Sequence, residues 1–442
     1  MESWARGPAQ RDALLLFAAD LICIGRIHRS TPMLGTKISA ARTMATVTNI
    51  PQETAVQSAG LPVASQKAGS QACTIRRTLV LTPSLQNSGG IQRYTRTLTR
   101  ALEEILGSPN VRTIAAGDPQ VSPRTGRVKL SAAARLGFAW RAFCGAVRWR
   151  PDLIICTHLS LGPAGWAAKL ITKSPYWIVL HGIEAWRELP YWKRIALKHA
   201  DRVIVTSAFS REQVMRQHKI GSEPISSLPC TLDEKLLSVT PVKNGRYPQL
   251  SYEQRVILTV ARMDASEQYK GHDVVLRALS SVIGNVANLT YVIVGGGDDR
   301  PRLELLAREL GVANHVVFTG EIDDSELAAL YQRSELFVLP ARTVVGSPNP
   351  KGEGFGIVFL EAMAFGKPVV GPRYGAPAEI IRDGQNGFLI DPEDPASVAE
   401  ALSRLLADPD VAIAMGKAGR NYVRANYSYG AFREKLREAL AI

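Results

Sequence analysis

A chain of 442 residues is too long for one compact core, so two domains, or two and a tail, are expected. Hydrophobic residues at 46% and charged residues at 21% describe an ordinary soluble globular protein, and five scattered cysteines without a C-x-x-C exclude a zinc or disulfide framework. The net charge of +13 is uneven: residues 71–235 hold 24 Lys and Arg against 11 Asp and Glu, whereas residues 236–442 hold 22 against 25.

Residues 1–70 stand apart. The apolar stretch "ALLLFAADLICIG" is short, is interrupted by Asp20 and has no small-residue cleavage site close behind, so neither a spanning helix nor a signal peptide is expected. From Met44 to Ser70 the composition is Ala, Thr, Ser, Gln, Val and Pro without periodicity, which reads as a disordered, dispensable tail. A regular alternation follows. "TLVLT" predicts a strand and "IQRYTRTLTRALEEIL" a helix, with Gly89-Gly90 between them. Next come "VRTIAAG", the helical "SAAARLGFAWRAFCGAVRW", the strand "DLIICT", a helix over "AGWAAKLI", the strand "YWIVL", a helix over "YWKRIALKHA", the strand "RVIVTS", the helical "REQVMRQH" and a short "ISSLP". Residues near 233–253 have no period and read as a linker. The alternation restarts with "RVILTVA", a helix after "KGHD", "LTYVIVG", a helix from about Pro301, "HVVFTG", the helix "DDSELAALYQRS", "LFVLP", a helix from Ile357, "PVVG" and "NGFLI"; helices fill the end. Buried strands alternating with helices predict an α/β protein with two tandem doubly wound Rossmann-like domains facing across a cleft. The expected division is a tail over 1–70, a first domain over 71–235, a second over 236–425 and a final helix over 426–442 that crosses back to the first domain.

The chemistry concentrates in "GEGFGIVFLEAMAFGKPVVG", residues 352–371. The helix from Ile357 should stop at Phe365, because Gly366 suits the left-handed position after a helix and Pro368 cannot continue one. A glycine-rich loop feeding a helix N-terminus offers free amides and a positive dipole end to a phosphate. Glu361 lies about 6 Å further along that helix. It is the only charge in an apolar run and has no cation three or four residues away, so a pair of substrate hydroxyls is its expected partner rather than Arg or Lys. In "VARMDASEQYKGHD", Arg262 and Lys270 follow a strand end, where a leaving diphosphate needs compensation. In "VLHGIEAW" a strand ends at His181-Gly182, which aims His181 at the cleft. Neither "TPSLQNSGGIQRY" nor "VIVGGGDDR" is a G-x-G-x-x-G fingerprint, which argues against a nicotinamide-dependent oxidoreductase. Asp298-Asp299 and Asp323-Asp324 read as helix N-terminal residues, not metal ligands. The helix with Arg135, Arg141, Arg148, Arg150, Trp140 and Trp149 has the mixture of an interfacial membrane helix, but an ordinary sheet-covering helix with a basic outer face has it too and is the favoured reading.

Glu353 and Glu361, with seven residues between them, followed by "AMAFGKPVVG", resemble the E-x7-E signature of glycosyltransferase family 4 (glycosyl transferases group 1). "GGIQRY", "HGIEAW", "VARMD…KG", "VIVGGG", "VVFTGEIDDSEL", "LFVLPAR" and "DGQNGFLIDPED" support it in order, over about residues 76–442. The resemblance implies a GT-B fold and a retaining, metal-independent enzyme that moves a sugar from a nucleotide sugar to a glycan or lipid-linked acceptor, without a cofactor. It further implies that Glu361 binds the ribose and Glu353 the sugar, that the amides of Gly354, Phe355 and Gly356 line the sugar, and that those of Ile357 and Val358 take phosphate oxygens. Arg262 and Lys270 would neutralise the diphosphate, with Gly90 approaching it from the other domain. His181 would sit at the sugar 6-hydroxyl, and the backbone of Ile322 would meet the base. The sequence departs from the pattern at "SLPCTLDE", where many relatives carry Asn-Gly, so contacts at the hinge around Cys230 and Thr231 are open. A cytoplasmic setting in polysaccharide or glycolipid synthesis is expected, with the basic first domain on an anionic membrane leaflet; the charge equally serves solubility. No recognition motif points to nucleic acid. A non-catalytic nucleotide-sugar-binding protein on the same fold is the alternative, against which the intact Arg262, Lys270, Glu353 and Glu361 set argues.

Overall fold

The computed structural model describes residues 75–85, 89–117, 132–240 and 253–442. The tail expected at 1–70 and residues 241–252 of the expected linker lie outside the described residues. Six strands form the first sheet: β1 (Thr78–Thr82), β2 (Val111–Ala115), β3 (Leu153–Cys156), β4 (Tyr176–Leu180), β5 (Arg202–Val205) and β6 (Ile225–Ser227). Their order is β2-β1-β3-β4-β5-β6, with every pair parallel. The second sheet comprises β7 (Arg255–Val260), β8 (Leu289–Val294), β9 (Val316–Gly320), β10 (Leu336–Val338), β11 (Val369–Pro372) and β12 (Gly387–Ile390). It runs β12-β11-β10-β7-β8-β9, again all parallel. Strands such as β1, β4 and β8 are buried along their whole length, because helices cover both faces; this is why they read as unbroken apolar runs rather than as an alternation.

Strand order reverses between β1 and β3 in the first sheet and between β7 and β10 in the second. Loops leaving the carboxyl ends of strands diverge at such a reversal and open a crevice for a ligand. The two crevices face each other. Gly90, at the start of the helix Gly90–Leu106, lies so close to the second domain that a β-carbon there would be 3.6 Å from Ile357 Cδ1.

The domains share one hydrophobic cluster, in which Val80, Tyr94 and Leu102 join Phe359, Leu360 and Val369. The final helix, Tyr429–Leu440, packs on the first domain: Phe432 meets the Tyr94 ring edge-on at 5.8 Å, and Arg433 pairs with Glu104 at 3.3 Å. Phe432, Leu436 and Leu440 are buried, each contributing about 2 kcal/mol, whereas a half-exposed ion pair such as Arg433–Glu104 contributes at most about 1 kcal/mol. Apolar burial therefore dominates this docking. At the departing "SLPCTLDE" segment, Thr231 Oγ1 and Leu232 N both donate to the Tyr427 carbonyl, at 2.7 and 3.1 Å, and Cys230 is buried in the shared cluster. The hinge is thus tied to the segment that leads into the last helix.

Candidate functional site

The helix Ile357–Ala364 begins and ends where its sequence dictates. Gly356 precedes it in the left-handed region at φ 95°, a conformation that costs a residue with a β-carbon but not glycine. At the other end the amide of Gly366 bonds to Met363 O and that of Lys367 to Ala362 O, the paired bonds that close a helix with glycine just beyond it. The N-cap residues of this helix and of Gly90–Leu106 are both glycines, Gly356 and Gly89, so neither supplies a side chain to its first-turn amides. Two helix N-termini, each carrying about half a positive charge, therefore meet across the cleft.

Both signature glutamates are paired, contrary to the expectation that Glu361 waits for substrate hydroxyls alone. Lys270, at the end of the turn Ala265–Lys270 after β7, donates to Glu353 Oε1. Burial works against the Lys270 ammonium, but Glu353 and the neighbouring Tyr269 outweigh it and hold its pKa above that of an ordinary lysine. Glu361 is only 2% exposed and accepts from Arg93 Nη1 at 2.6 Å and from the Tyr331 hydroxyl at 3.0 Å. Burial pushes the Glu361 carboxyl up, Arg93 and Tyr331 pull it back, and Asp233 and Asp324 push it up again. Arg93 lies 268 residues away on the first domain, which is why no neighbour in sequence revealed it.

Backbone meets backbone at the centre of the cleft. A β-carbon on Gly354 would fall on the His181 carbonyl oxygen, and one on Gly182 would come within 2.7 Å of Gly354 Cα. The Gly354 carbonyl accepts from Ser207 Oγ at 3.2 Å and from Thr206 Oγ1 at 3.4 Å, both just beyond β5. His181 has its ring fixed through Nε2, 2.8 Å from Thr157 O, and by a T-shaped contact with the Tyr94 ring, centroids 5.2 Å apart. Nearby, Glu379 of the second domain accepts from the amides of Ala208 (2.8 Å) and Phe209, at the start of the helix Ala208–His218 of the first. A carboxylate at a helix N-terminus is well placed electrostatically. Burial raises the Glu379 pKa and these two amides lower it in part. Phe209, Trp186 and Ala376 form a small apolar cluster beside it.

The other expected site residues are placed less uniformly. Phe355 is buried with its ring 5.9 Å from Tyr427, and Ile357 and Val358 are partly buried at the helix start. Ile322 follows β9, partly buried against the shared cluster. Arg262 is 66% exposed at the rim, held by Glu267 at 2.5 Å and Asp264 at 3.4 Å. Glu267 lies between the fields of Lys270 and Arg262; burial raises its pKa and those two cations lower it. The glycines of "VIVGGG" let β7 and β8 run on side by side: Met263 N bonds to Gly296 O at 2.8 Å, and a β-carbon on Gly297 would strike Met263 O. Asp323 caps the helix Asp324–Arg333 through the amides of Ser325 and Glu326. Asp299 stands at the N-cap position of Arg300–Glu309, but its carboxylate binds Arg302 and Gln268 instead of the helix amides.

The sequence reading missed Arg93, Tyr331, Glu267, Thr206, Ser207 and Glu379. Arg93 sits inside "GGIQRY", yet only the docking of the domains gives it a partner.

The model of glycosyl transferases group 1 matches residues 247–422, and that of Glycosyltransferase Family 4 matches residues 88–236. A GDP-mannose-dependent alpha-(1-6)-phosphatidylinositol monomannoside mannosyltransferase from Mycolicibacterium smegmatis is 34% identical over 268 residues, 59% of this chain and 68% of that protein. The protein of the same description from Mycobacterium tuberculosis is 39% identical over 171 residues, 39% of this chain and 44% of that protein, so this chain aligns with under half of it. Among solved structures, a sucrose-phosphate synthase from Thermosynechococcus elongatus superposes with a TM-score of 0.66 and 24% identity, covering 83% of this chain and 98% of that one; this likeness shows the fold.

Proposed function

The chain belongs to glycosyltransferase family 4, the glycosyl transferases group 1, and from that premise we propose that it moves a hexose from a nucleoside-diphosphate sugar to a lipid-linked or glycan acceptor, with retention at the anomeric carbon and without a metal. The observation that carries the proposal is the pair of glycine-started helix N-termini facing each other, with Lys270 and the buried Glu361 beside them. This is a site for a dianion next to a diol. A diphosphate fits between the amides of Ile357 and Val358 and the first-domain backbone at Gly90. Glu361 takes the ribose hydroxyls and the Ile322 backbone meets the base. Glu353 takes hydroxyls of the sugar, with the amides of Gly354, Phe355 and Gly356 along it and His181 at its 6-hydroxyl.

In the transfer the bond from the anomeric carbon to the β-phosphate oxygen breaks, the acceptor oxygen bonds on the same face, and the acceptor proton goes to the departing phosphate. Lys270, and Arg262 once it leaves Glu267, stabilise the charge that develops on that phosphate, together with two helix dipoles. Preorganised cations of this kind do the work a divalent ion does elsewhere.

An anionic lipid leaflet is the proposed setting. The helix Ala132–Trp149 buries Phe138, Ala142 and Ala146 against its own domain but exposes Leu136, Trp140, Phe143 and Val147 at helical spacing, with Trp140 at 67%. It carries no acidic residue, and Arg141, Arg148 and Arg150 are exposed on and just after it. The adjoining helices Gly162–Thr172 and Tyr191–Lys198 add exposed Ile171, Tyr191 and Trp192. Exposed apolar residues and arginines on one helix suit an interface lined with lipid phosphates. Among the described residues no helix is long and apolar enough to cross a membrane.

The test incubates the protein with GDP-mannose, the donor named for its relatives, and phosphatidylinositol vesicles in EDTA. The expected result is a glycolipid whose anomeric configuration, read by proton NMR, matches that of the donor, with salt-sensitive binding to the vesicles. An inverted product, or transfer that appears only when a divalent ion is added, contradicts the mechanism. Vesicles left unbound at any salt contradict the membrane assignment.

A further inference from the structure

A carboxylate offers about four lone-pair sites, two on each oxygen. At Glu361 the Arg93 guanidinium takes one on Oε1 and the Tyr331 hydroxyl takes one on Oε2. Among the described residues one site on each oxygen is left, and two donors at that separation are what a vicinal diol presents. We propose that Arg93 is a positioning residue of the first domain which, with Tyr331, orients Glu361 and keeps it ionised so that its two remaining sites receive the ribose diol of the donor. The inference rests on the reading of Glu361 as the ribose residue and adds what makes that carboxylate competent.

Three observations support it. Glu361 is almost wholly buried, and an ionised carboxylate in such a place gives up its charge unless a cation attends it. Arg93 is that cation, and a second contact, Nη2 to Asp324 at 3.5 Å, fixes where its fork points. Tyr331 is fully buried, its hydroxyl reaches Glu361, and its ring stacks on Phe365 at 5.3 Å, so the donor on Oε2 cannot drift. The groups that face Glu361 come from three elements: Arg93 from Gly90–Leu106, Tyr331 and Asp324 from Asp324–Arg333, and Asp233 before the short helix Glu234–Ser238. Arg93 is their only cation, and two of the others are acidic.

Arg93 belongs to one domain and Glu361 to the other. Ribose recognition of this kind therefore draws on both domains.

The test compares GDP with 2′-deoxy-GDP by calorimetry in wild type, Arg93→Met, Arg93→Lys and Tyr331→Phe. One hydrogen bond to a charged acceptor corresponds to roughly 10- to 100-fold in affinity, so wild type should prefer the ribonucleotide by that ratio. In Arg93→Met the ratio should collapse to roughly threefold or less and recover as pH rises, because loss of the cation moves the Glu361 pKa further up. Titration of the nucleotide phosphates cancels in the ratio. Arg93→Lys should restore part of the preference at neutral pH, and Tyr331→Phe, which keeps the ring, should lower it without a comparable pH dependence. An Arg93→Met protein with the wild-type ratio at every pH overturns the role given to Arg93 and leaves Glu361 as the ribose residue. Should Arg93→Met fail to fold, an unchanged ratio in both Arg93→Lys and Tyr331→Phe overturns it equally. A wild type indifferent to the 2′-hydroxyl overturns the ribose assignment itself.

Discussion

Lys270→Met is expected to lower sugar transfer by about a thousandfold in kcat while donor KM changes by only a few fold. Removing a single group that stabilises developing negative charge in a dry site costs on the order of 10²–10³ in rate. Three features of Lys270 suit it to that role. It sits at the strand-order reversal of the second sheet, its side chain is 14% exposed, and Glu353 and Tyr269 hold it charged against the cost of burial. The substitution also leaves the Glu353 carboxylate without its partner in a half-dry position, which costs further. Arg262→Met should act more weakly, since Arg262 is 66% exposed and must first leave Glu267. A Lys270→Met enzyme within threefold of wild type removes Lys270 from the mechanism.

Gly354→Ala is the second large effect. A methyl group there would occupy the space of the His181 carbonyl oxygen, and backbone cannot swing aside as a flexible side chain can. The loop would have to withdraw from the first domain and lose the bonds that Ser207 and Thr206 make to the Gly354 carbonyl. A shift of about 1 Å in a reacting group costs on the order of 100-fold in rate, so transfer should fall by at least that much. Each sheet keeps its own covering helices while the contacts between the domains loosen, so the melting temperature should move little. Small-angle scattering should show a larger radius of gyration in the variant. An active, compact Gly354→Ala protein would mean that this approach of the two backbones is not part of the productive state.

The strands and helices were legible because burial on both faces leaves an unbroken apolar run, as in "YWIVL" and "LTYVIV", and because helix ends carry local marks. Gly366 and Pro368 predict the end of the site helix at Phe365; the structure ends it at Ala364 with Phe365 as its C-cap. The glycine loop and the E-x7-E spacing likewise lie within one short stretch. Cross-domain pairings were not legible. Arg93 and Glu361, Gly182 and Gly354, and Glu379 and the start of Ala208–His218 are separated by more than a hundred residues, and each exists only because two independently legible domains dock in one orientation. Glu361 shows the consequence. The absence of a cation within one helical turn was read as a vacancy for substrate, whereas the cation arrives from the other domain. The same holds for Arg262: its position after a strand end is local information, but its exposure and its pairing with Glu267 depend on how the following turn folds back.

We propose that the cleft between the domains is a diphosphate site built from protein groups alone. Isothermal titration calorimetry of the full chain with GDP, UDP and ADP in excess EDTA tests it most directly. At least one of these nucleotides should bind at a single site, and Lys270→Met should weaken it. Failure of all three to bind, or binding that appears only when a divalent ion is restored, would contradict it.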